Sequence, residues 1–246
     1  MEQPLHPLLS GLPGVSAVEQ ATLPAGATRV RAEAHRPDGE AVAPFFFLTH
    51  GAGGDRNTSG LKALAEALAA GGHLVVRADL GYRAAGRSTP PAAEKSVPGF
   101  TESFLDARRL FGAEVPWVAG GRSYGGRVAS MAVAEGLDAA GLLLYSYPLH
   151  RPGDPSQPRV AHWPQIKVPA LFLEGTNDPF CDLELMNALL PQLGGPATVH
   201  VVPGGNHSLK VAGARAPDGR ARSEGSVVRD LAPVIEEWAR RFVQAP

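Results

Sequence analysis

Gly120-Gly121-Arg122-Ser123-Tyr124-Gly125-Gly126-Arg127 is the stretch on which the fold turns. Its centre has the form Gly-x-Ser-x-Gly. Upstream, Glu114-Val115-Pro116-Trp117-Val118-Ala119-Gly120 reads as a short buried strand. Downstream, Arg127 to Gly136 carries Val128, Ala129, Met131, Ala132 and Val133 at helical spacing. A serine on a sharp strand-to-helix turn is held clear of the sheet with its hydroxyl exposed. The flanking glycines permit the tight turn and the close approach of neighbouring backbone.

Two further loops carry the partners that a reactive serine needs. Val168-Pro169-Ala170-Leu171-Phe172-Leu173-Glu174-Gly175 reads as a strand and ends in Thr176-Asn177-Asp178-Pro179. Ala197-Thr198-Val199-His200-Val201-Val202-Pro203 is the next strand and ends in Gly204-Gly205-Asn206-His207-Ser208. Asp178 and His207 thus follow the carboxyl ends of two successive strands, where open sheets of alternating strands and helices form their ligand crevice. A serine hydroxyl is a poor nucleophile until a base takes its proton. The imidazole of His207 supplies that base, and the Asp178 carboxylate fixes its tautomer and stabilises the imidazolium. His200 lies mid-strand, Glu174 belongs to its strand, and Asp182 suits the cap of the next helix.

A fourth segment precedes these. Ala43-Pro44-Phe45-Phe46-Phe47-Leu48-Thr49 reads as a central strand and ends in His50-Gly51-Ala52-Gly53-Gly54-Asp55. Backbone N–H groups there and after the serine suit a developing oxyanion. Ala52 is the expected first donor, with Gly53 next to it, and Tyr124 the second. One such donor is worth on the order of 3 kcal/mol in the transition state. His50 is expected to orient this loop and border the substrate. Arg83, Arg87 and Arg122 are weaker candidates for holding a substrate carboxylate or phosphate. The competing expectation pairs them with Asp55, Asp79 or Asp106.

The chain has 246 residues, enough for one large sheet with helices on both faces. Its 23 Lys and Arg against 24 Asp and Glu leave a formal charge of -1, which gives no electrostatic reason to expect nucleic acid or an anionic membrane. The single cysteine, Cys181, excludes an intrachain disulfide and a cysteine-based metal site, and is expected to be a small buried hydrophobe. No His-Glu-x-x-His or equivalent spacing argues for metal, and the Gly51–Gly54 and Gly120–Gly126 glycines lack the register of a phosphate loop. No cofactor is expected. The start, Met1-Glu2-Gln3-Pro4-Leu5-His6-Pro7, does not read as a signal peptide, and no apolar run approaches the roughly 20 residues that span a bilayer. The expectation is a cytoplasmic protein, with its oligomeric state left open.

Along the chain, residues 1–23 read as an irregular lead-in rich in Pro and Gly. Arg29 to His35 alternates as a half-exposed strand. A helix is expected over Ser59 to Ala70, stopped by Gly71-Gly72. His73 to Asp79 is a strand, Tyr82 to Pro98 a loop, and Thr101 to Phe111 a helix. Gly141 to Tyr147 is a buried strand. Pro148 to Pro164 is a Pro-rich loop over the site edge, too short for a cap domain. Helices follow at about Asp182 to Leu190 and from Val227 through Trp238. Strands alternating with helices predict a mostly parallel sheet covered on both faces, with residues 1–246 as one domain.

With these motifs in place, the chain resembles the α/β-hydrolase superfamily over nearly its whole length, and within it the dienelactone-hydrolase-like group. It is most similar there to the small hydrolases related to the testis-expressed proteins and to a scaffold subunit of a histone-acetyltransferase complex. Thr49 to Asp55, Gly120 to Arg127, Gly175 to Cys181 and Gly204 to Leu209 carry that likeness. The resemblance implies a single-domain α/β-hydrolase fold without a large cap and Ser123, Asp178 and His207 as a catalytic triad. It also implies cleavage of a small to medium ester or thioester. Dienelactone hydrolases proper use a cysteine where this chain has Ser123. Some relatives are known as binding partners, so the alternative expectation is a non-catalytic interaction module of the same shape.

Overall fold

The computed structural model describes residues 15–242. Eight strands form one sheet: β1 (Val15–Ala25), β2 (Thr28–Pro37), β3 (Val42–Thr49), β4 (His73–Ala78), β5 (Trp117–Arg122), β6 (Gly141–Tyr145), β7 (Ala170–Gly175) and β8 (Ala197–Val202). Their spatial order is β1-β2-β4-β3-β5-β6-β7-β8. β2 pairs antiparallel with β1 and β4, and every pair from β4 through β8 is parallel. Among the described residues six α-helices accompany them: α1 (Ser59–Ala70), the short α2 (Gly81–Ala84), α3 (Val97–Phe111), α4 (Tyr124–Ala134), α5 (Leu183–Leu189) and, after β8, α6 (Glu224–Ala239).

The central strands divide their side chains between two cores, because successive residues of a strand point to opposite faces. In β3, Phe45 and Phe47 enter one core and Phe46 and Leu48 the other. Leu142 and Leu144 part from Leu143 and Tyr145 in β6, and Ala170 and Phe172 from Leu171 and Leu173 in β7. α3 and α4 cover the first face, where Phe47 meets the edges of Phe100 and Phe104. α1 and α6 cover the second, with Leu61, Leu64, Leu68, Val228, Ile235 and Trp238 buried. Burial on both faces explains why these strands read as near-continuous apolar runs.

The structure corrects several expected boundaries. The lead-in is not irregular to residue 23, because Val15–Ala25 pairs with β2 from Ala25↔Thr28 back to Val15↔Pro37. Leu23 is fully buried there, and Pro24 is tolerated because the strand lies at the edge of the sheet. Residues 1–14 lie outside the described part. α3 starts at Val97 rather than Thr101, with Pro98 in its first turn, where a missing N–H costs nothing. α4 starts at Tyr124 rather than Arg127: Gly125 and Gly126 are packing glycines within its first turn.

The Pro-rich segment between β6 and β7 is irregular but packed. Arg159 donates its N–H to the Leu149 carbonyl at 2.7 Å, and Tyr147 donates its hydroxyl to the Arg159 carbonyl at 2.7 Å. Ser130 Oγ and His162 Nε2 lie 2.8 Å apart, tying the segment to α4. Burial lowers the His162 imidazole to about 4, so it makes this contact as a neutral ring. Trp163, fully buried, packs on Tyr147 and Phe172. Among the described residues nothing inserted between β6 and β7 amounts to a cap domain.

Candidate active site

The end of β5 and the start of α4 meet at Ser123, whose backbone has φ 49° and ψ −113°. A non-glycine residue held there costs about 1–3 kcal/mol, and such strain persists only where its surroundings enforce it. Here they do. The Ser123 N–H donates to the Tyr145 carbonyl at 2.8 Å, and its own carbonyl accepts the Arg127 N–H at 2.9 Å. Glycine is required on either side. A Cβ on Gly121 would lie 2.3 Å from the Thr49 carbonyl oxygen, and one on Gly125 would lie 2.6 Å from the His50 carbonyl oxygen. The turn is thereby pressed against the end of β3.

Asp178 follows β7 in a tight turn, where the Cys181 N–H bonds its carbonyl. Its side chain is fully buried, and Oδ1 accepts the Phe180 N–H at 2.8 Å. His207 follows β8 in a loop organised by Asn206, whose side-chain oxygen accepts the N–H groups of Ser208 (2.9 Å) and Lys210 (3.1 Å). These loops bring the three side chains together. Ser123 Oγ is 2.9 Å from His207 Nε2, and His207 Nδ1 is 2.7 Å from Asp178 Oδ2 and 3.0 Å from Oδ1. A carboxylate on Nδ1 places the ring proton there. Nε2 is left as the acceptor facing the Ser123 hydroxyl.

The loop after β3 lies alongside. A Cβ on Gly51 would be 3.5 Å from Ser123 Cβ. Ala52 and Gly53 form the exposed tip of a turn closed by the Gly54 N–H on the Gly51 carbonyl, with Gly53 at φ 73°. Tyr124 opens α4, so its N–H belongs to the four that a helix start leaves without an intrahelical acceptor. The Tyr124 hydroxyl bonds Ser96 Oγ (2.8 Å) and the Pro91 carbonyl (3.0 Å), fastening the loop between α2 and α3 over this side.

Two of the expected substrate-facing residues face inward instead. His50 is fully buried. Its Nδ1 lies 2.8 Å from the Gly51 carbonyl, and its Nε2 accepts the Leu80 N–H at 3.1 Å, which fixes a neutral ring with the proton on Nδ1. Burial first of all lowers its affinity for a second proton. It anchors the loop from within the fold. Arg122 turns under the His207 loop. Nε lies 3.2 Å from Glu224 Oε1, and Nη2 donates to Ser208 Oγ at 2.7 Å. Its partner is therefore Glu224 rather than Asp55, Asp79 or Asp106. Arg83 is half-buried and Arg87 exposed, and Arg83 Nη1 donates to the Arg87 carbonyl. Asp79 pairs with Arg56 and Asp106 with Arg109, and among the described residues no carboxylate pairs with Arg83 or Arg87.

The structure adds Phe180, Glu174 and Glu224 to the surroundings of the three side chains. The Phe180 ring stacks on His207 with centroids 4.2 Å apart and planes at 30°. Its position directly after Asp178-Pro179 was the available signal, because the Phe180 N–H closes that turn on the Asp178 carboxylate. Glu174 is fully buried in β7, and its Oε1 accepts the Tyr147 N–H at 2.7 Å. Cys181 is buried as expected, and burial pushes its thiol far above the usual range, so it is no thiolate nucleophile. Among the described residues no helix is long and apolar enough to cross a membrane.

Comparison with known proteins agrees with this architecture. Residues 43–232 match the family model for the alpha/beta hydrolase domain. The fold is similar to a dienelactone hydrolase from Anabaena variabilis (TM-score 0.70, 17% identity, 93% of this chain and 98% of that one). It is similar to an alpha-beta serine hydrolase homologue from Coxiella burnetii (TM-score 0.67, 19% identity, 87% and 95%). It is also similar to a serine hydrolase without lid from Xanthomonas campestris (TM-score 0.66, 18% identity, 99% and 100%). A serine held in a strained strand-to-helix turn, a parallel sheet that aligns three loops on it, and a family match over most of the chain lead to one conclusion: the protein belongs to the alpha/beta hydrolase domain family.

Proposed function

We propose that the protein is a serine hydrolase that cleaves a small to medium carboxylic ester or thioester through an acyl-enzyme on Ser123. One observation carries this reading: the unbroken chain from Ser123 Oγ to His207 Nε2 (2.9 Å) and from His207 Nδ1 to Asp178 (2.7 Å), starting from a serine at φ 49°. Ser123 Oγ attacks the carbonyl carbon as its proton passes to His207 Nε2. The backbone N–H groups of Tyr124 and Ala52 stabilise the tetrahedral oxyanion, with Gly53 adjacent. On collapse, the bond to the leaving alcohol or thiol breaks and His207 returns the proton to it. Water, deprotonated by His207, then attacks the acyl carbon and releases the carboxylic acid and free Ser123. Asp178 keeps the Nδ1 proton in place and offsets the imidazolium charge in both halves.

The reading extends to a small-molecule substrate, no cofactor and a cytoplasmic setting, with Arg83 and Arg87 drawing anionic substrates to the rim. The narrower kinship with the testis-expressed and acetyltransferase-scaffold relatives belongs to the same proposal. The names of the structural neighbours, serine hydrolase homologue and dienelactone hydrolase among them, support it. The test is a fluorophosphonate probe and a panel of short nitrophenyl esters, run on wild type and Ser123→Ala. Wild type labels and hydrolyses, whereas Ser123→Ala stays folded and does neither. An unlabelled wild type, or a fully active Ser123→Ala, overturns the proposal and leaves the non-catalytic module.

A further inference from the structure

We infer that Arg122, held by Glu224, is a positioning residue that locks the His207 loop and the loop after β3 onto the serine turn. The inference rests on the hydrolase reading for its kinetic consequences, but its geometric content stands apart from turnover.

Arg122 directly precedes Ser123 and ends β5, so its backbone belongs to the serine turn. Its guanidinium reaches two other loops. Nη2 donates to Ser208 Oγ at 2.7 Å and to the carbonyl of His207 itself at 3.4 Å. Nη1 lies 2.9 Å from where a Cβ on Gly51 would stand, so the guanidinium packs close against the loop after β3. One side chain thus contacts the elements that present the proposed nucleophile, base and first oxyanion donor. A planar fork with donors in fixed directions suits this role, and a lysine ammonium does not reproduce it.

The guanidinium is itself held in place. Its Nε lies 3.2 Å from Glu224 Oε1, an ion pair without hydrogen-bond alignment, and its carbon lies 5.9 Å from the centre of the Tyr145 ring. Glu224 Oε1 also accepts the Tyr145 hydroxyl. Glu224 opens α6 and is 5% exposed, and the carboxylate fills space that only a glycine at position 60 of α1 leaves open. The arrangement is costly to build, because two charges leave water for it. A pair placed only for stability gains little over an apolar pair of the same size. A pair that must aim backbone carbonyls gains direction, which apolar contacts do not supply.

Charge gives the inference a signature that loss of packing alone would not produce. The His207 ring faces Asp178 through Nδ1, Ser123 through Nε2 and the uncharged Phe180 ring. Behind Asp178, burial holds the Glu174 carboxyl well above its ordinary range. Beneath the loop lie Arg122 and Glu224, whose charges cancel as a pair. Glu224→Gln removes only the negative partner. The uncompensated guanidinium then opposes formation of the imidazolium.

The experiment compares wild type, Arg122→Gln, Arg122→Lys, Glu224→Gln and Ser208→Ala. Folding is checked by circular dichroism, and the His207 ring is followed by NMR over a pH series. The Nδ1 proton bonded to Asp178 should give a sharp downfield signal in wild type, which Arg122→Gln broadens or loses. Glu224→Gln should move the ring's titration to lower pH. In the active enzyme, Arg122→Gln should lower kcat by about 10²-fold with KM little changed, as expected of a misplaced catalytic group. Arg122→Lys should recover only part of that loss. Ser208→Ala removes one hydrogen bond and leaves the buried pair intact, so it remains informative if the others unfold. A fall in kcat of about 3- to 10-fold and a weakened downfield signal are expected of it. A folded Arg122→Gln or Ser208→Ala with the wild-type ring signal overturns the inference, as does an unmoved titration in Glu224→Gln. The ring signals decide this whether or not the wild type hydrolyses esters, and failure to hydrolyse refutes the hydrolase reading alone.

Discussion

Replacing Glu174 by Gln should make the protein more stable as the pH rises. Glu174 is fully buried, its Oε1 accepts the Tyr147 N–H, and Cys181 is its other polar neighbour. Burial, and then the nearby Asp178 charge, hold its carboxyl well above the ordinary 4.5. The folded protein therefore keeps this proton at pH values where the unfolded chain has released it. From 4.5 upward the folded state binds more protons, so wild-type stability falls with rising pH until the folded carboxyl itself ionises. Where the two states differ by a full proton the slope is about 1.4 kcal/mol per pH unit. A glutamine keeps the acceptor for Tyr147 and carries no such proton. The stability difference, Glu174→Gln minus wild type, should be flat below 4.5 and then climb with up to that slope. Other titrating groups are common to both proteins and cancel in the difference. Urea denaturation of both proteins at steps from about pH 4 to about pH 8 measures it. A difference that does not change with pH, or that falls, would show that Glu174 is ionised in the folded protein and would refute the argument.

Two further substitutions test the serine turn. Ser123→Gly should be more stable than Ser123→Ala by about 1 kcal/mol, because glycine alone adopts positive φ without strain. At an ordinary helical position the order reverses, so the sign read from paired denaturation curves is the diagnostic. Gly125→Ala should cost about 1–3 kcal/mol, as overpacking does. Its new methyl would lie 2.6 Å from the His50 carbonyl oxygen and 2.7 Å from that of Thr49, both backbone atoms that cannot turn aside. Thermal melts measure the cost, and a Gly125→Ala melt equal to wild type would mean that α4 can back away from β3.

The fold was legible because its strands are buried on both faces and its helices are not. Phe45 to Leu48, Leu142 to Tyr145 and Ala170 to Leu173 stand out as unbroken apolar runs, and Ser59 to Ala70 as a one-faced helix ended by glycines. The serine turn announces itself through backbone needs that only glycine meets, and the acid and base loops through their place after strands. β1 was hidden because an edge strand need not be apolar or free of proline, so Val15–Ala25 lacks the pattern that central strands must show. The inward turn of His50 and Arg122 was hidden for another reason. Their partners, the Leu80 N–H and the Glu224 carboxylate, are remote in sequence and reach them only through the sheet order and the docking of α6. A local pattern records what a residue needs from its neighbours in the chain. It does not record which distant element will meet a charged side chain.

A second buried charge cluster stands at the other side of the site and follows the same logic as Arg122. Arg77, fully buried in β4, donates to the carbonyl of Arg56, pairs with Glu33 and donates through Nε to His35 at 2.8 Å. Burial above all holds His35 down to about 3, so it stays neutral and accepts that bond. Arg56 pairs with Asp79 at 3.0 Å, and its N–H donates to the same carboxylate at 2.8 Å. Arg56 closes the segment that begins at His50, and its backbone is held through both its N–H and its carbonyl. In both clusters an arginine donates to a backbone carbonyl of a loop, and a carboxylate balances it, Glu224 buried and Glu33 half-buried. Apolar residues of similar volume would stabilise the fold as well or better. They would leave those loops free to pivot. If the charges bear on where the loops point rather than on whether the chain folds, apolar replacements of either cluster should keep the fold and loosen the loops.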